Sequence, residues 1–136
     1  MKPRFINQKY SVSFHEYSEK HYIKEFEKKY KTHWDSTRKA IVSSLERIAN
    51  LDGTNSLDFI CISNQKTILA KFDFKVAKTN VSPKSSGNRC ILEVCNEDLG
   101  VKVLLVYCKD HIDRKINQET LWWKEHVATS CKLVCI

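Results

Sequence analysis

Apolar and polar residues alternate most regularly between Thr67 and Val76. Ile68, Ala70, Phe72, Phe74 and Val76 fall on one side of the chain, and Lys71, Asp73 and Lys75 fall on the other. A two-residue period of this kind predicts a strand buried on one face and wet on the other. Two more apolar runs follow, Asn88–Cys95 and Val101–Cys108. They are separated by the loop residues 78–87 and by Asn96-Glu97-Asp98-Leu99-Gly100, which has hairpin composition. Three such runs in series predict an antiparallel meander whose wet face carries positive charge.

The chain before the meander changes period. Lys9–Phe14 alternates, with Tyr10, Val12 and Phe14 on one side, and predicts a short first strand. Ser18 is a helix-capping residue with Glu19 behind it, and Tyr22, Ile23, Phe26 and Tyr30 then recur at helical spacing. Trp34-Asp35-Ser36 reads as a break and a second cap. Ile41, Leu45 and Ile48 form the stripe of a second helix, which Leu51-Asp52-Gly53 stops, with Gly53 placed for a left-handed C-terminal cap. Two helices separated by a few residues predict a helical hairpin. Leu57–Ile62 fits an edge strand or a buried connection, with a turn over Ser63–Lys66.

After the last run comes Lys109-Asp110-His111-Ile112-Asp113-Arg114-Lys115, and a final helix is expected to start near Asn117. Trp122 and Trp123 are neighbours in it. Adjacent helical residues point about 100° apart, so one of the two is expected at a boundary, not in the core. The tail Ser130–Ile136 reads as a short extra strand. The fold class is therefore α+β in one domain, residues 1–136: an N-terminal strand, a helical hairpin, a three- to four-stranded antiparallel meander and a C-terminal helix.

Composition adds four points to this picture. A chain of 136 residues, 42% hydrophobic and 29% charged, can build a core without extra staples. No apolar run reaches the length of a membrane span, and the basic start lacks a signal-peptide stretch, so a cytoplasmic protein that avoids the membrane is expected. The net charge of +7 is concentrated: Lys66, Lys71, Lys75, Lys78, Lys84 and Arg89 face a single acid, Asp73, within residues 66–90. A basic strip of this kind attracts a polyanion. The six cysteines show no C-x-x-C pair and sit mainly in apolar runs, which reads as reduced, buried thiols. Cys108 and His111 are spaced like half of a zinc set, but no second pair completes it, so no metal and no cofactor is expected.

There is no glycine-rich phosphate loop, no G-x-S-x-G and no H-E-x-x-H. What remains is a convergence. Arg89 opens one strand and Lys109-Asp110-His111 closes the next, and adjacent antiparallel strands bring such positions to one end of the sheet. Lys75, Lys78 and Lys84 lie at or beyond that same end in chain order.

The alternating strand, the basic turn, the Gly87-Asn88-Arg89-Cys90-Ile91 strand opening and the Val103-Leu104-Leu105-Val106-Tyr107-Cys108-Lys109 strand together resemble the RelE/ParE toxin superfamily. The helix ending Leu45-Glu46-Arg47-Ile48-Ala49-Asn50-Leu51 is also similar to that family, and the resemblance spans roughly residues 10–112. It implies a RelE-like toxin of a toxin–antitoxin system. Such a toxin is a ribosome-dependent, metal-independent mRNA endoribonuclease with mRNA, the ribosome and an antitoxin protein as partners. In that chemistry the RNA 2′-hydroxyl attacks the adjacent phosphate, which needs a base, a cation and an acid. The resemblance makes Arg89 the cation and His111 the acid, with Lys75, Lys84 or Lys109 as further catalytic candidates. Lys71, Lys75, Lys78, Lys84 and Arg89 form the RNA-binding face. Two other readings keep the fold: a non-catalytic nucleic-acid- or ribosome-binding module, and a ParE-like protein-interaction toxin.

Overall fold

The computed structural model describes residues 3–20, 23–77, 86–108 and 119–136. The elements run β1 (Ser11–Phe14), α1 (Glu16–Lys20), α2 (Ile23–Tyr30), α3 (Thr32–Glu46), a 3-10 turn (Ile48–Leu51), β2 (Leu57–Ile62), β3 (Ile68–Phe74), β4 (Asn88–Cys95), β5 (Gly100–Cys108) and α4 (Glu119–Ser130). The α+β class read from the sequence is what the chain forms.

The strands make one mixed sheet in the order β1-β5-β4-β3-β2. β2 to β5 form the antiparallel meander, with Ile68 opposite Val94, Phe74 opposite Asn88 and Asn88 opposite Cys108. β1 joins β5 in parallel, Ser11 beside Gly100 and Phe14 beside Val103. Leu57–Ile62 is thus an edge strand. Its turn forms as expected, with the Lys66 N–H donating to the Ser63 carbonyl at 2.9 Å. Gly53, at φ 84°, takes the left-handed conformation that its position after the helical stripe predicted.

One face of the sheet packs on the helices that follow β1. Ile23, Phe26, Trp34, Ile41, Leu45 and Ile48 meet Ala70, Phe72, Phe74, Cys90, Leu92 and Val103. Trp34 is at the centre of an aromatic group, 5.1 Å from the Phe26 ring and 6.3 Å from Phe74. The helical boundaries differ from the sequence reading for local reasons. Ser18 does not cap: it is buried inside α1, and its hydroxyl donates back to the His15 carbonyl at 2.9 Å. The break lies at Lys31, at φ 51°, and not at Trp34–Ser36, because Trp34 must sit within α3 to reach Phe26 and Phe74.

The second face is where the sequence reading needs most correction. It was expected to be wet, but α4 lies over it. Trp122, Trp123, Val127 and Leu133 pack on Leu69, Ile91, Leu104, Leu105 and Tyr107. Both tryptophans are buried. Trp122 packs at a tilt against the Tyr107 ring, 4.9 Å between centroids, while Trp123 belongs to the same cluster as Leu69, Val127 and Leu133. A helix laid flat on a sheet, with its tail folded back beside it, covers enough arc to bury neighbours 100° apart. The tail makes one bridge, Cys135 opposite Ser63, instead of a full strand.

Cys61 and Cys135 are joined by a disulfide, so the reading of all six cysteines as reduced is wrong for this pair. Nothing in their spacing pointed to it, because 74 residues separate them in sequence. Cys90, Cys95, Cys108 and Cys131 are free thiols. Among the described residues, no helix is long and apolar enough to cross a membrane, and no group of three metal-ligating side chains gathers.

Candidate functional site

The end of the sheet marked out by the sequence is built by three adjacent strands. Asp73 on β3, Arg89 on β4 and Tyr107 on β5 occupy one line across the sheet, Asp73 paired with Arg89 and Arg89 with Tyr107. The period-two alternation puts all three on the second face. Hydrogen bonds secure the chain on either side of the basic loop. The Ala77 N–H donates to the buried Thr37 hydroxyl at 2.7 Å, and the Ser86 hydroxyl donates to the Phe74 carbonyl at 2.7 Å. The positions where that loop leaves and rejoins the sheet are therefore fixed.

Arg89 was expected on a wet surface facing solvent. It is instead 3% exposed, and Asp73 is 2% exposed. Arg89 Nε lies 3.2 Å from Asp73 Oδ1 and 3.5 Å from Glu119 Oε2. The Tyr107 hydroxyl donates to that same Glu119 oxygen at 2.6 Å. Glu119 is the first residue of α4, so the helix brings a carboxylate onto the end of the sheet. The reason for the burial is that a cation and an acid on adjacent strands neutralise each other, which lets an apolar helix close over them.

The remaining predicted residues divide into two groups. Lys71 is half-buried and pairs with Asp58 at 3.7 Å, while Lys75 is exposed. Lys78, Lys84, Lys109 and His111 lie outside the described residues. Arg89 is thus buried in ion pairs while Lys75 faces solvent, so the two are not presented together as free cations.

Tyr107 and Glu119 were missed as site residues. Tyr107 lies within the apolar run Val101–Cys108, and Glu119 lies just past Asn117, where the final helix was expected to start. Counting register out from the hairpin at residues 96–99 puts Val106 opposite Arg89; a bulge between Ile91 and Leu92 shifts the pairing by one residue and brings Tyr107 there instead, which no local pattern signals. Burial holds the Tyr107 phenol well above its ordinary value, and the bond to Glu119 and that carboxylate's charge push the same way; Arg89 opposes them. The phenol is therefore a proton donor at neutral pH. Burial likewise pushes the Cys90 thiol up, with the Asp73 charge adding to it.

No family model, no curated protein and no solved structure matches this chain. The site must be read from its own geometry.

Two other concave regions frame it. A groove of about 530 Å³ runs beside α4, lined by Leu69, Leu121, Trp123, Val127 and Val134. A polar trough of about 380 Å³ lies at the other end of the sheet, with Glu93, Cys95, Asp98 and Lys102 on its walls. Neither contains Arg89 or Tyr107.

The thiols give a testable pH dependence. Burial raises Cys131 from an ordinary value of 9.0 to about 11. An acid whose folded value is raised favours folding while it stays protonated. That contribution is complete below 9.0 and is lost as pH rises to about 11. The thermal midpoint should fall across this window, and Cys131→Ser should flatten part of the fall. A Cys131→Ser profile that overlays the wild type would show that this thiol is not held protonated by the fold.

Proposed function

We propose that the protein is a RelE-like endoribonuclease that acts on mRNA at the ribosome, with Arg89 and Tyr107 facing the reacting phosphate. The observation that carries this reading is the position of Glu119 Oε2, which accepts from the Tyr107 hydroxyl at 2.6 Å and lies 3.5 Å from Arg89 Nε. A cation and a neutral donor converge on one anionic oxygen. A phosphate oxygen has the same requirements, so Glu119 acts as an internal occupant of the place a phosphodiester would take. In this reading Arg89 meets charge developing on the phosphate, and Tyr107 supplies the proton for the leaving 5′-oxygen. Lys75, Lys78, Lys84, Lys109 and His111 remain the candidates for backbone contacts, the base and a second acid. No metal or cofactor takes part in the proposed chemistry, the cytoplasm is the proposed location, and an antitoxin is the proposed regulator.

The cleavage assay uses mRNA on translating ribosomes, with and without a chelator, followed by analysis of the new ends. Chelator-resistant cleavage leaving 2′,3′-cyclic phosphates is the expected result. Binding has its own test. Affinity for RNA should fall steeply with salt, because each phosphate contact releases counterions. Lys75→Glu, at an exposed position, should weaken binding to all sequences about equally. Binding that ignores both salt and this charge reversal would end the reading of the basic strip as an RNA face.

One observation favours the second reading, a binding module without activity. Two carboxylates, Asp73 and Glu119, already neutralise Arg89. If folded, partner-free protein binds ribosomes but leaves mRNA intact, that reading replaces the nuclease.

A further inference from the structure

The segment 119–136 is fastened over the sheet at several points along its length. At its start, Glu119 accepts from Tyr107 and lies beside Arg89. Midway, His126 Nδ1 meets the Tyr17 hydroxyl at 2.6 Å, which ties α4 to α1. Beyond the helix, the Asn64 N–H donates to the Val134 carbonyl at 2.8 Å, the Val134 N–H donates to Asn64 Oδ1 at 3.1 Å, and the Ile136 N–H donates to the Ile62 carbonyl at 3.0 Å. Cys135 is then bonded to Cys61 on the edge strand β2. Between these points Trp122, Trp123, Val127 and Leu133 are buried.

The covalent fastening differs from the others in its placement. Cys135 is exposed and Cys61 is half-buried, so a small reductant can reach the bond. The tail it holds is largely solvent-facing, with Val134 48% and Ile136 75% exposed. Exposed backbone hydrogen bonds each contribute little net free energy. The crosslink keeps the tail's effective concentration at β2 high, and breaking it leaves a short terminal segment free to fray. The cover from Glu119 to Val134 lies between β5 and that bond in the chain.

We propose that Cys61–Cys135 is a reversible redox switch that governs how firmly segment 119–136 is docked over the Arg89–Tyr107 end of the sheet. In the opening step a thiolate of a dithiol reductant attacks Cys135 Sγ. The S–S bond breaks, a mixed disulfide forms at Cys135, and Cys61 leaves as a thiolate that takes up a proton. The second thiol of the reductant then displaces Cys135. The protein gains two electrons and two protons as two thiols, and the reductant departs as its disulfide. Cys131, in the same segment, is mostly protonated at neutral pH and exchanges slowly in competition. What the loosened face then does rests on the nuclease reading above; the switch itself does not.

Hydrogen exchange on the full chain tests it, comparing oxidised protein, protein reduced with dithiothreitol, and the variants Cys135→Ser and Cys61→Ser. Cys135 is exposed in the tail, so its replacement leaves the core untouched. Amides of residues 119–136 should exchange roughly tenfold faster or more in the reduced protein and in both variants, with β3 to β5 unchanged. Reoxidation of the wild type should restore the slow rates. Equal protection of 119–136 in both redox states would overturn the switch. Loosening of the whole sheet together with the segment would also overturn it, because the bond would then be a general staple. RNA affinity measured on the same samples separates the two proposals. If the segment loosens and RNA binds no better, the nuclease reading fails and the switch stands.

Discussion

Replacing Arg89 by alanine is expected to destabilise the protein by about 3–5 kcal/mol, the range for removing one partner of a buried ion pair. The size follows from what is left behind. Asp73 is 2% exposed, and Arg89 Nε is 3.2 Å from its Oδ1. Without the guanidinium, the Asp73 carboxylate must stay charged in an apolar layer or take up a proton, and either outcome costs folding free energy. Glu119 loses a partner too, but it can turn toward water because its side chain is 22% exposed. Asp73→Asn should therefore recover part of the loss in the Arg89→Ala background while costing stability alone. A double-mutant cycle by chemical denaturation should show coupling of roughly 1–3 kcal/mol. A single-variant loss below about 1 kcal/mol would mean that Arg89 is the surface cation its sequence position suggested.

That prediction also limits any kinetic test of Arg89. A variant that unfolds under assay conditions loses activity whatever its catalytic role. The burial of Arg89 makes Arg89→Lys the better probe, because it keeps the charge beside Asp73 while giving up the planar fork.

The meander, the helical stripe and the two turns were legible because each rests on local rules. Alternation from Ile68 to Val76 needs only the pleat, and Gly53 needs only its φ of 84°. The parallel pairing of β1 with β5 was not legible, because the partners Ser11 and Gly100 are far apart in the chain and no local period encodes their meeting. The covering of the second face was missed for a related reason. Lys71, Asp73 and Lys75 look alike to a polarity count, yet they end in three environments: a half-buried pair with Asp58, a buried pair with Arg89, and open solvent. Long-range acids decide which, and Glu119 arrives from the far end of the chain. The sequence therefore marked out this end of the sheet as a candidate, while which residues gather there, Tyr107 and Glu119 included, depended on tertiary contacts.

Tyr107→Phe is expected to lower the rate of RNA cleavage by roughly 10²–10⁴-fold while leaving the fold intact, if Tyr107 is the general acid. The ring keeps its packing against Trp122 at 4.9 Å, so the cavity term that accompanies larger deletions does not arise. The lost hydrogen bond is to a partly exposed carboxylate that water can satisfy, so the stability cost should be near 1 kcal/mol. The acidity of the phenol responds to the same contact. Of the influences that raise it, the hydrogen bond and the charge of Glu119 disappear when α4 lifts, while Arg89 still lowers it. Uncovering the face would thus make the phenol a stronger acid beside Arg89, which keeps its ion pair with Asp73, and in the proposed nuclease reading this ties activity to the docking of the helix. Glu119→Gln should act in the same direction by removing the carboxylate's charge, raising both RNA affinity and cleavage rate in the oxidised protein. The measurement is single-turnover cleavage on translating ribosomes for the wild type, Tyr107→Phe and Glu119→Gln, with thermal midpoints taken in parallel. A Tyr107→Phe protein that cleaves at the wild-type rate would remove the phenol from the mechanism and return the acid role to His111.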